Sequence, residues 1–479
     1  MNAPGFQVVA VELYERPVKL RMPFRFGVVT LTAAPQAFVR ARIRLEDGRE
    51  GWGAGAELLA PKWFDKNLAL SNEDNFHQLR LALVLARDAY LDDGVRTAFG
   101  HFAAHYRDVI DAGERHDLNP LVASFGPAQL DRAILDALCR LQRMSFYEAI
   151  QGNFAGIAPM ALAPDLAAFD IDAFLARLQP ADSIAARHTV GLVDVIAGHP
   201  KQVNDGLPES LEEVVATYGH TWFKLKVGGK VDDDVARLTE IAAVLDASGK
   251  PYRASLDGNE QYDDLDSLRQ LLARMRALPR LEKLVGAIAF IEQPINRKHA
   301  LERDVSSVSR ATPVIVDESD SDLGAFPRAK ALGYAGVSSK MCKGLYKSII
   351  NAARCVAWST PERRYFMTGE DLTTQAGLAV QQDLALVSLL GMTHVERNGH
   401  HYVNGMADLP ADEQAAFLAA HPDLYERSHG AVRLRITNGE LAIGSLASIG
   451  FASGADPDWR ALAPMPEPKV QEVRQWASR

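Results

Sequence analysis

Trp222-Phe223-Lys224-Leu225-Lys226 reads as a short strand that ends in charge, and four later segments repeat its form. Ala254-Ser255-Leu256 leads to Asp257, and Ile288-Ala289-Phe290-Ile291 leads to Glu292. Val314-Ile315-Val316 leads to Asp317, and Gly336-Val337-Ser338-Ser339 leads to Lys340. The charged positions are separated by 31, 35, 25 and 23 residues, each about one strand-plus-helix unit. The intervening segments have helical periodicity. Val235, Leu238, Ala242 and Leu245 share one face of the stretch from Asp232 to Asp246, and Leu265, Leu268, Leu272 and Met275 share a face of the next. Strand–helix alternation from about residue 188 to 395 predicts a parallel sheet, and its length suits a (β/α) barrel of seven or eight units. The rival, a doubly wound open sheet, usually carries a glycine-rich nucleotide loop. Neither GxGxxG nor GxxxxGK[ST] occurs.

In a barrel the C-terminal ends of the strands surround one point. The spacing therefore gathers Lys226, Asp257, Glu292, Asp317 and Lys340 around one centre. Period-two geometry puts Lys224 beside Lys226, with Phe223, Leu225 and Val227 on the other face. The apolar face suits the helix layer, so the lysines point into the mouth. Three carboxylates converging at low dielectric repel one another. Either their pKa values rise or they hold a cation. A donor set of hard oxygens without histidine or cysteine favours Mg²⁺ or Mn²⁺ over Zn²⁺.

The N-terminal region has a different rhythm. From Phe38 to Leu45, Val39, Ala41, Ile43 and Leu45 alternate with Arg40, Arg42 and Arg44, the pattern of a half-buried antiparallel strand. Asp47-Gly48 is a hairpin signal, and the glycine-rich Gly51-Trp52-Gly53-Ala54-Gly55 follows. Ser71 and Asp74 form a capping-box pattern before the apolar run Leu79 to Leu91, and a second helix is predicted from about Pro127 to Gln151. Strands first and helices after make an α+β unit. The tail beyond Asn404 contains Pro410, Pro422, Pro457, Pro464, Pro466 and Pro468 and reads as an irregular wrap.

Bulk properties exclude several classes. At 479 residues the chain exceeds what one core supports. A net charge of −9 argues against nucleic-acid and membrane-surface binding, which need clustered positive charge. Cys139, Cys342 and Cys355 have no CxxC spacing and build no disulfide framework. No apolar run is long enough to cross a bilayer, and the first twenty residues carry no secretory pattern. A soluble protein of the cytoplasm is expected.

The strand-end motifs Phe223-Lys224-Leu225-Lys226-Val227-Gly228, Asp257-Gly258-Asn259, Ile291-Glu292-Gln293-Pro294, Val316-Asp317-Glu318-Ser319 and Lys340 together resemble those of the enolase superfamily. The similarity is to its muconate-lactonizing-enzyme-like subgroup. Leu130-Asp131-Arg132-Ala133-Ile134-Leu135-Asp136-Ala137 resembles the helix that closes that family's N-terminal domain. The resemblance implies an α+β capping domain over residues 1–153, completed by 405–479, on a modified (β/α)₇β barrel over 154–404. It implies Asp257, Glu292 and Asp317 as ligands of Mg²⁺, with Mn²⁺ as a substitute, and Lys226 and Lys340 as an acid/base pair. Lys224 would then sit against the substrate carboxylate and lower the pKa of Lys226. The implied chemistry is removal of the proton α to a small carboxylate through a stabilised enolate, in a racemase, epimerase or cycloisomerase. β-Elimination would use the same groups. A Schiff-base aldolase and a non-catalytic binding protein are the remaining alternatives. By family habit the protein would be a homo-oligomer.

The chain departs from the family pattern in four places. Lys343-Gly344-Leu345-Tyr346-Lys347 replaces the usual paired glycines and adds positive charge. Glu396-Arg397-Asn398-Gly399-His400-His401 lacks the paired aspartates of dipeptide epimerases. Additions fall near residues 92–123 and 196–212. Arg25, Asn259, Glu370 and His400 are the candidate substrate contacts.

Overall fold

The computed structural model describes residues 3–200 and 202–468. Near its start, β1 (Phe6–Phe26), β2 (Val29–Leu45) and β3 (Glu50–Leu58) pair antiparallel, with Val11 opposite Ala41 and Val39 opposite Gly55. β2 is longer than its alternating core suggested. Val39, Ala41, Ile43 and Leu45 are buried, while the Arg40 and Arg42 guanidinium groups cover the Trp52 ring at 4.4 and 5.3 Å. The buried face receives helices Asn72–Leu91, Ala98–Glu114 and Phe125–Gln142. The first of these opens with the expected Ser71–Asp74 capping box. Gly53 lies directly under the third: a Cβ there would run into the backbone at Ala133 and Ala137.

Two local readings needed correction. The helix predicted to run from Pro127 to Gln151 stops at Gln142, because Arg143 turns left-handed (φ 54°) and Ser145 with Glu148 caps a new helix, Phe146–Gln151. The addition near 92–123 is largely the helix Ala98–Glu114, which buries Phe99, Phe102, Tyr106 and Val109.

Among the described residues, eight strands form the closed parallel barrel. They are β4 (Ser183–Val190), β5 (Trp222–Lys226), β6 (Arg253–Asp257), β7 (Ile288–Glu292), β8 (Val314–Val316), β9 (Gly336–Ser339), β10 (Phe366–Gly369) and β11 (His394–Arg397). Each pairs with the next, and β11 closes on β4 with Val395 opposite Ala186. Helical segments fill the crossovers, which is the (β/α)₇β arrangement. Phe223, Leu225 and Val227 pack outward with Val235, Leu238 and Ala242 of helix Val231–Ala247, so Lys224 and Lys226 turn inward as alternation requires.

The tail is more regular than its prolines suggested. It forms helix Ala411–Ala420, a hairpin of Tyr425–Ser428 with Ala431–Leu434, and strand Glu440–Ala442, which pairs antiparallel with the start of β4. It then returns to the N-terminal sheet, where Ala463–Pro464 pairs with β1 and the Phe451 ring stacks on Phe146 at 3.9 Å. Among the described residues no helix is long and apolar enough to cross a membrane.

Candidate active site

Lys226, Asp257 and Glu292 are the last residues of β5, β6 and β7, and Asp317, Lys340 and Glu370 directly follow β8, β9 and β10. All six are buried. β5 and β9 stand four strands apart in a ring of eight, so Lys226 and Lys340 enter the mouth from opposite sides, with the three acids on the arc between them.

Lys224 forms the hub of the site. Its Nζ lies 3.0 Å from Asp257 Oδ2, 2.8 Å from Glu292 Oε2, 2.7 Å from Glu370 Oε2 and 2.9 Å from Glu396 Oε2. Burial pushes its pKa down, but these four carboxylates outweigh that and hold it well above the usual lysine value. Lys226 Nζ contacts Asp257 Oδ2 at 2.5 Å, and Lys340 Nζ contacts Asp317 Oδ2 at 2.5 Å. Lys340 also sits 4.3 Å from the centre of the Trp63 ring. Burial pushes the Lys340 pKa down, but Asp317 outweighs it and the ammonium is held charged. For Asp317, burial pushes the pKa up while Lys340 and Lys343 outweigh it and keep the carboxyl well below the usual range.

Glu292 is the exception among the acids. Burial, then Asp257 and Glu370, drive its pKa well above the usual value, and Lys224 opposes them only in part. Its Oε2 is buried and receives no hydrogen bond of good geometry. One ammonium thus serves four carboxylates, and the least satisfied oxygen belongs to the middle acid of Asp257, Glu292 and Asp317. Glu292 thus depends on a lysine it shares with three other carboxylates, and hard oxygen donors stand on three adjacent strands, a donor set that fits a divalent cation of the Mg²⁺ type. Asp257 is turned to Lys224 and Lys226, and Asp317 to Lys340, so holding a cation requires these carboxylates to exchange lysine contacts.

Two contributors carried no sequence motif. Glu396 in β11 accepts from Lys224 and from Thr189 Oγ1 (2.6 Å), and Arg187 in β4 is bonded to Glu370. Asn259 lies at the rim of the mouth, its backbone N donating to Asp257 Oδ1 at 2.8 Å. Its side-chain oxygen is buried without a partner. Lys343 is no surface group: its Nζ donates to Ser338 Oγ at 2.8 Å and pairs with Asp320 at 3.0 Å. Lys347 is likewise buried against Asp320.

Arg25 and His400 are corrections. Arg25 is exposed, while its neighbours Phe24 and Phe26 face the cavity, because alternation along β1 turns the arginine away. His400 lies behind the barrel wall, packed against His188 and His220.

The N-terminal domain closes the mouth with Phe24, Phe26, Leu31, Ala60 and Trp63. Arg297 of the barrel anchors this lid. It is bonded to Glu260 and donates to the carbonyls of Trp63 (2.7 Å) and Phe64 (2.9 Å). About 20 Å³ of water-sized space remains inside, room for about one water.

Residues 206–429 match the family described as enolase C-terminal domain-like. That region, which spans most of the barrel, is therefore enolase C-terminal domain-like. A comparison with curated proteins gives no significant match. Among solved structures, an enolase from Streptomyces coelicolor superposes with a TM-score of 0.60 at 16% identity, covering 99% of this chain and 97% of the other. Muconate lactonizing enzyme from Mycobacterium smegmatis, complexed with muconolactone, gives 0.58 at 18% identity over 94% and 98%. An enolase from Bradyrhizobium, complexed with magnesium and mandelic acid, gives 0.58 at 16% identity over 95% and 97%. At these identities the likeness is one of fold.

Proposed function

We propose that this protein is an enolase-superfamily isomerase or lyase that removes the proton α to a small substrate carboxylate. In this reading Asp257, Glu292 and Asp317 hold Mg²⁺ or Mn²⁺, and Lys226 and Lys340 exchange protons with opposite faces of the α-carbon. The observation that carries it is the diametric placement of two buried lysines across an arc of three carboxylates. The cation would offset the second negative charge that appears when a carbon acid beside a carboxylate ionises. The chain's own groups do the rest. Lys224 neutralises the acids and, once they turn to the cation, is free to meet the substrate carboxylate. Lys226 removes or returns a proton on one side and Lys340 on the other. The lid excludes water from the exposed carbanion.

Two lysines on opposite sides support racemisation or epimerisation. Cycloisomerisation and β-elimination need only one of them as base. Borohydride trapping with a carbonyl substrate would distinguish a Schiff-base aldolase acting through Lys226 or Lys340. Phe24, Phe26, Leu31 and Leu372 line the cavity and favour a carboxylate with an apolar substituent. The test is incubation with Mg²⁺ in D₂O against amino acids, N-acyl amino acids, dipeptides, hydroxy acids and lactones, read by mass spectrometry. Gain of one deuterium that is lost with chelator and in Lys226→Ala is the expected result. Exchange indifferent to both would overturn the assignment.

A further inference from the structure

A second cluster of chemistry-bearing side chains lies outside the barrel, behind β4. Arg187 and Thr189 point inward to Glu370 and Glu396, so His188 between them points outward. There it meets His220, which follows the left-handed Gly219 cap of helix Leu211–Tyr218, and His400 from the turn after β11. The ring centres form a nearly equilateral triangle of 5.3, 5.5 and 5.4 Å. One nitrogen from each ring lies within 4.8 Å of the other two.

These nitrogens lack the partners that buried polar groups require. His188 and His220 are 1% and 2% exposed. His188 Nδ1, His220 Nε2 and both nitrogens of His400 are buried without a hydrogen bond. His220 Nδ1 faces the Ala186 carbonyl at 2.8 Å. That bond requires the proton on Nδ1 and leaves the Nε2 lone pair directed away from it. A histidine oriented by a carbonyl on one nitrogen, with the other free, is the usual posture of a metal ligand. The Arg397 carbonyl pulls weakly on His400 but is too poorly placed for a full hydrogen bond. Each orphaned buried nitrogen costs about 1–3 kcal/mol unless something satisfies it.

We propose that His188, His220 and His400 form a zinc-class site, separate from the carboxylate centre, with a fourth position open to water. An all-nitrogen donor set without a carboxylate disfavours Mg²⁺ and Ca²⁺ and suits Zn²⁺ and its neighbours. A small cavity of about 20 Å³, room for about one water, borders His400 alone of the three and is lined by Tyr218, Thr374 and Val403 among others. Burial pushes the His220 pKa down to about 4 and those of His188 and His400 well below the usual value. Ligation at roughly 2.0–2.1 Å draws the three nitrogens to about 3.4 Å apart, a contraction that side-chain torsions supply. The site ties β4, the segment before β5 and the segment after β11 together at the seam where the barrel closes.

By contrast, Asp93, His101 and His105 also lie close together, but Asp93 is already bonded to both histidines and to Arg96. That cluster is an internal ion-pair network.

The test uses the full-length protein stripped with EDTA, then held in excess Mg²⁺ to fill the carboxylate centre. Titrated Co²⁺ is expected to give the intense visible bands of a four-coordinate site at one equivalent, displaced by Zn²⁺. His220→Gln and His400→Gln are expected to lose the bands, while Glu292→Gln keeps them. If both histidine variants fail to fold, X-ray absorption of the zinc-loaded wild type decides, with three imidazoles on zinc expected. Absence of the bands in folded wild type, their survival in a folded histidine variant, or an oxygen-only zinc shell would overturn the proposal.

Discussion

Lys224 and Lys226 meet on a single oxygen, Asp257 Oδ2, which is 3.0 Å from the first ammonium and 2.5 Å from the second. The two lysines of the strand are therefore not equivalent. Lys226 has one carboxylate partner, whereas Lys224 is also shared by Glu292, Glu370 and Glu396. Lys224→Met leaves those acids buried with their common counter-ion gone. Removing one member of a buried charge network costs about 3–5 kcal/mol. In EDTA the variant is expected to melt well below wild type, and millimolar Mg²⁺ is expected to recover part of the loss. Thermal unfolding with and without Mg²⁺ checks this, and an unchanged melting temperature in EDTA would remove Lys224 from the hub.

The charged strand ends were legible in sequence because barrel geometry turns a one-dimensional spacing into a ring. A charged residue closing an apolar run is visible wherever the run is short and bounded. Arg187 gave no such signal. It sits inside Ile184-Ala185-Ala186-Arg187-His188-Thr189-Val190, where charged and histidine side chains alternate toward the barrel and toward the helix layer. Glu396 was masked by the polar residues after it, which read as a strand end without an expected motif. The helix Ala98–Glu114 was hidden by Gly100 and Gly113, and the regular tail by its prolines, which lie between its elements and at their ends. Neither the capping-domain position of Arg25 nor the strand-end position of His400 fixes the direction of a side chain, and both turn away from the mouth.

Trp63 places an indole face beside Lys340, and its carbonyl is tied to Arg297. A desolvated cation–π contact contributes about 2 kcal/mol. Trp63→Ala is expected to slow α-proton exchange by about threefold to thirtyfold, with Trp63→Phe losing less. Single-turnover exchange in D₂O measures it. Equal rates in all three proteins would mean that the ring only fills space.

Gly53 is where β3 and helix Phe125–Gln142 come closest, and a methyl there meets helix backbone, which cannot yield as a flexible side chain would. Gly53→Ala is expected to destabilise the protein by about 1–3 kcal/mol or more. Gly48, in the hairpin turn, has open space around its Cβ position but a φ of +86°, so alanine there is penalised by the backbone alone. Urea denaturation of the two variants compares the effects. A Gly53→Ala midpoint at or above wild type would contradict the close approach.

Glu57, the penultimate residue of β3, lies beneath helix Phe125–Gln142 and pairs with Arg132 at 3.3 Å. Burial raises its pKa to about 7, with Arg132 opposing and Asp383 adding. In the unfolded chain the same carboxyl titrates near 4.5. Below that pH both states carry the proton, and this group's contribution to stability is fully present. As pH rises from about 4.5 to about 7, the unfolded chain releases its proton first, so stability is progressively lost; above 7 the loss is complete. The shift corresponds to a loss on the order of 3 kcal/mol across that window. Glu57→Gln cannot titrate, so the stability difference between variant and wild type is expected to move in the variant's favour over the same interval. Any constant cost from leaving Arg132 without its anion does not affect this slope. Unfolding free energies of both proteins at pH 5, 6, 7 and 8 make the comparison, and parallel curves would show that Glu57 ionises in the folded protein as it does in water.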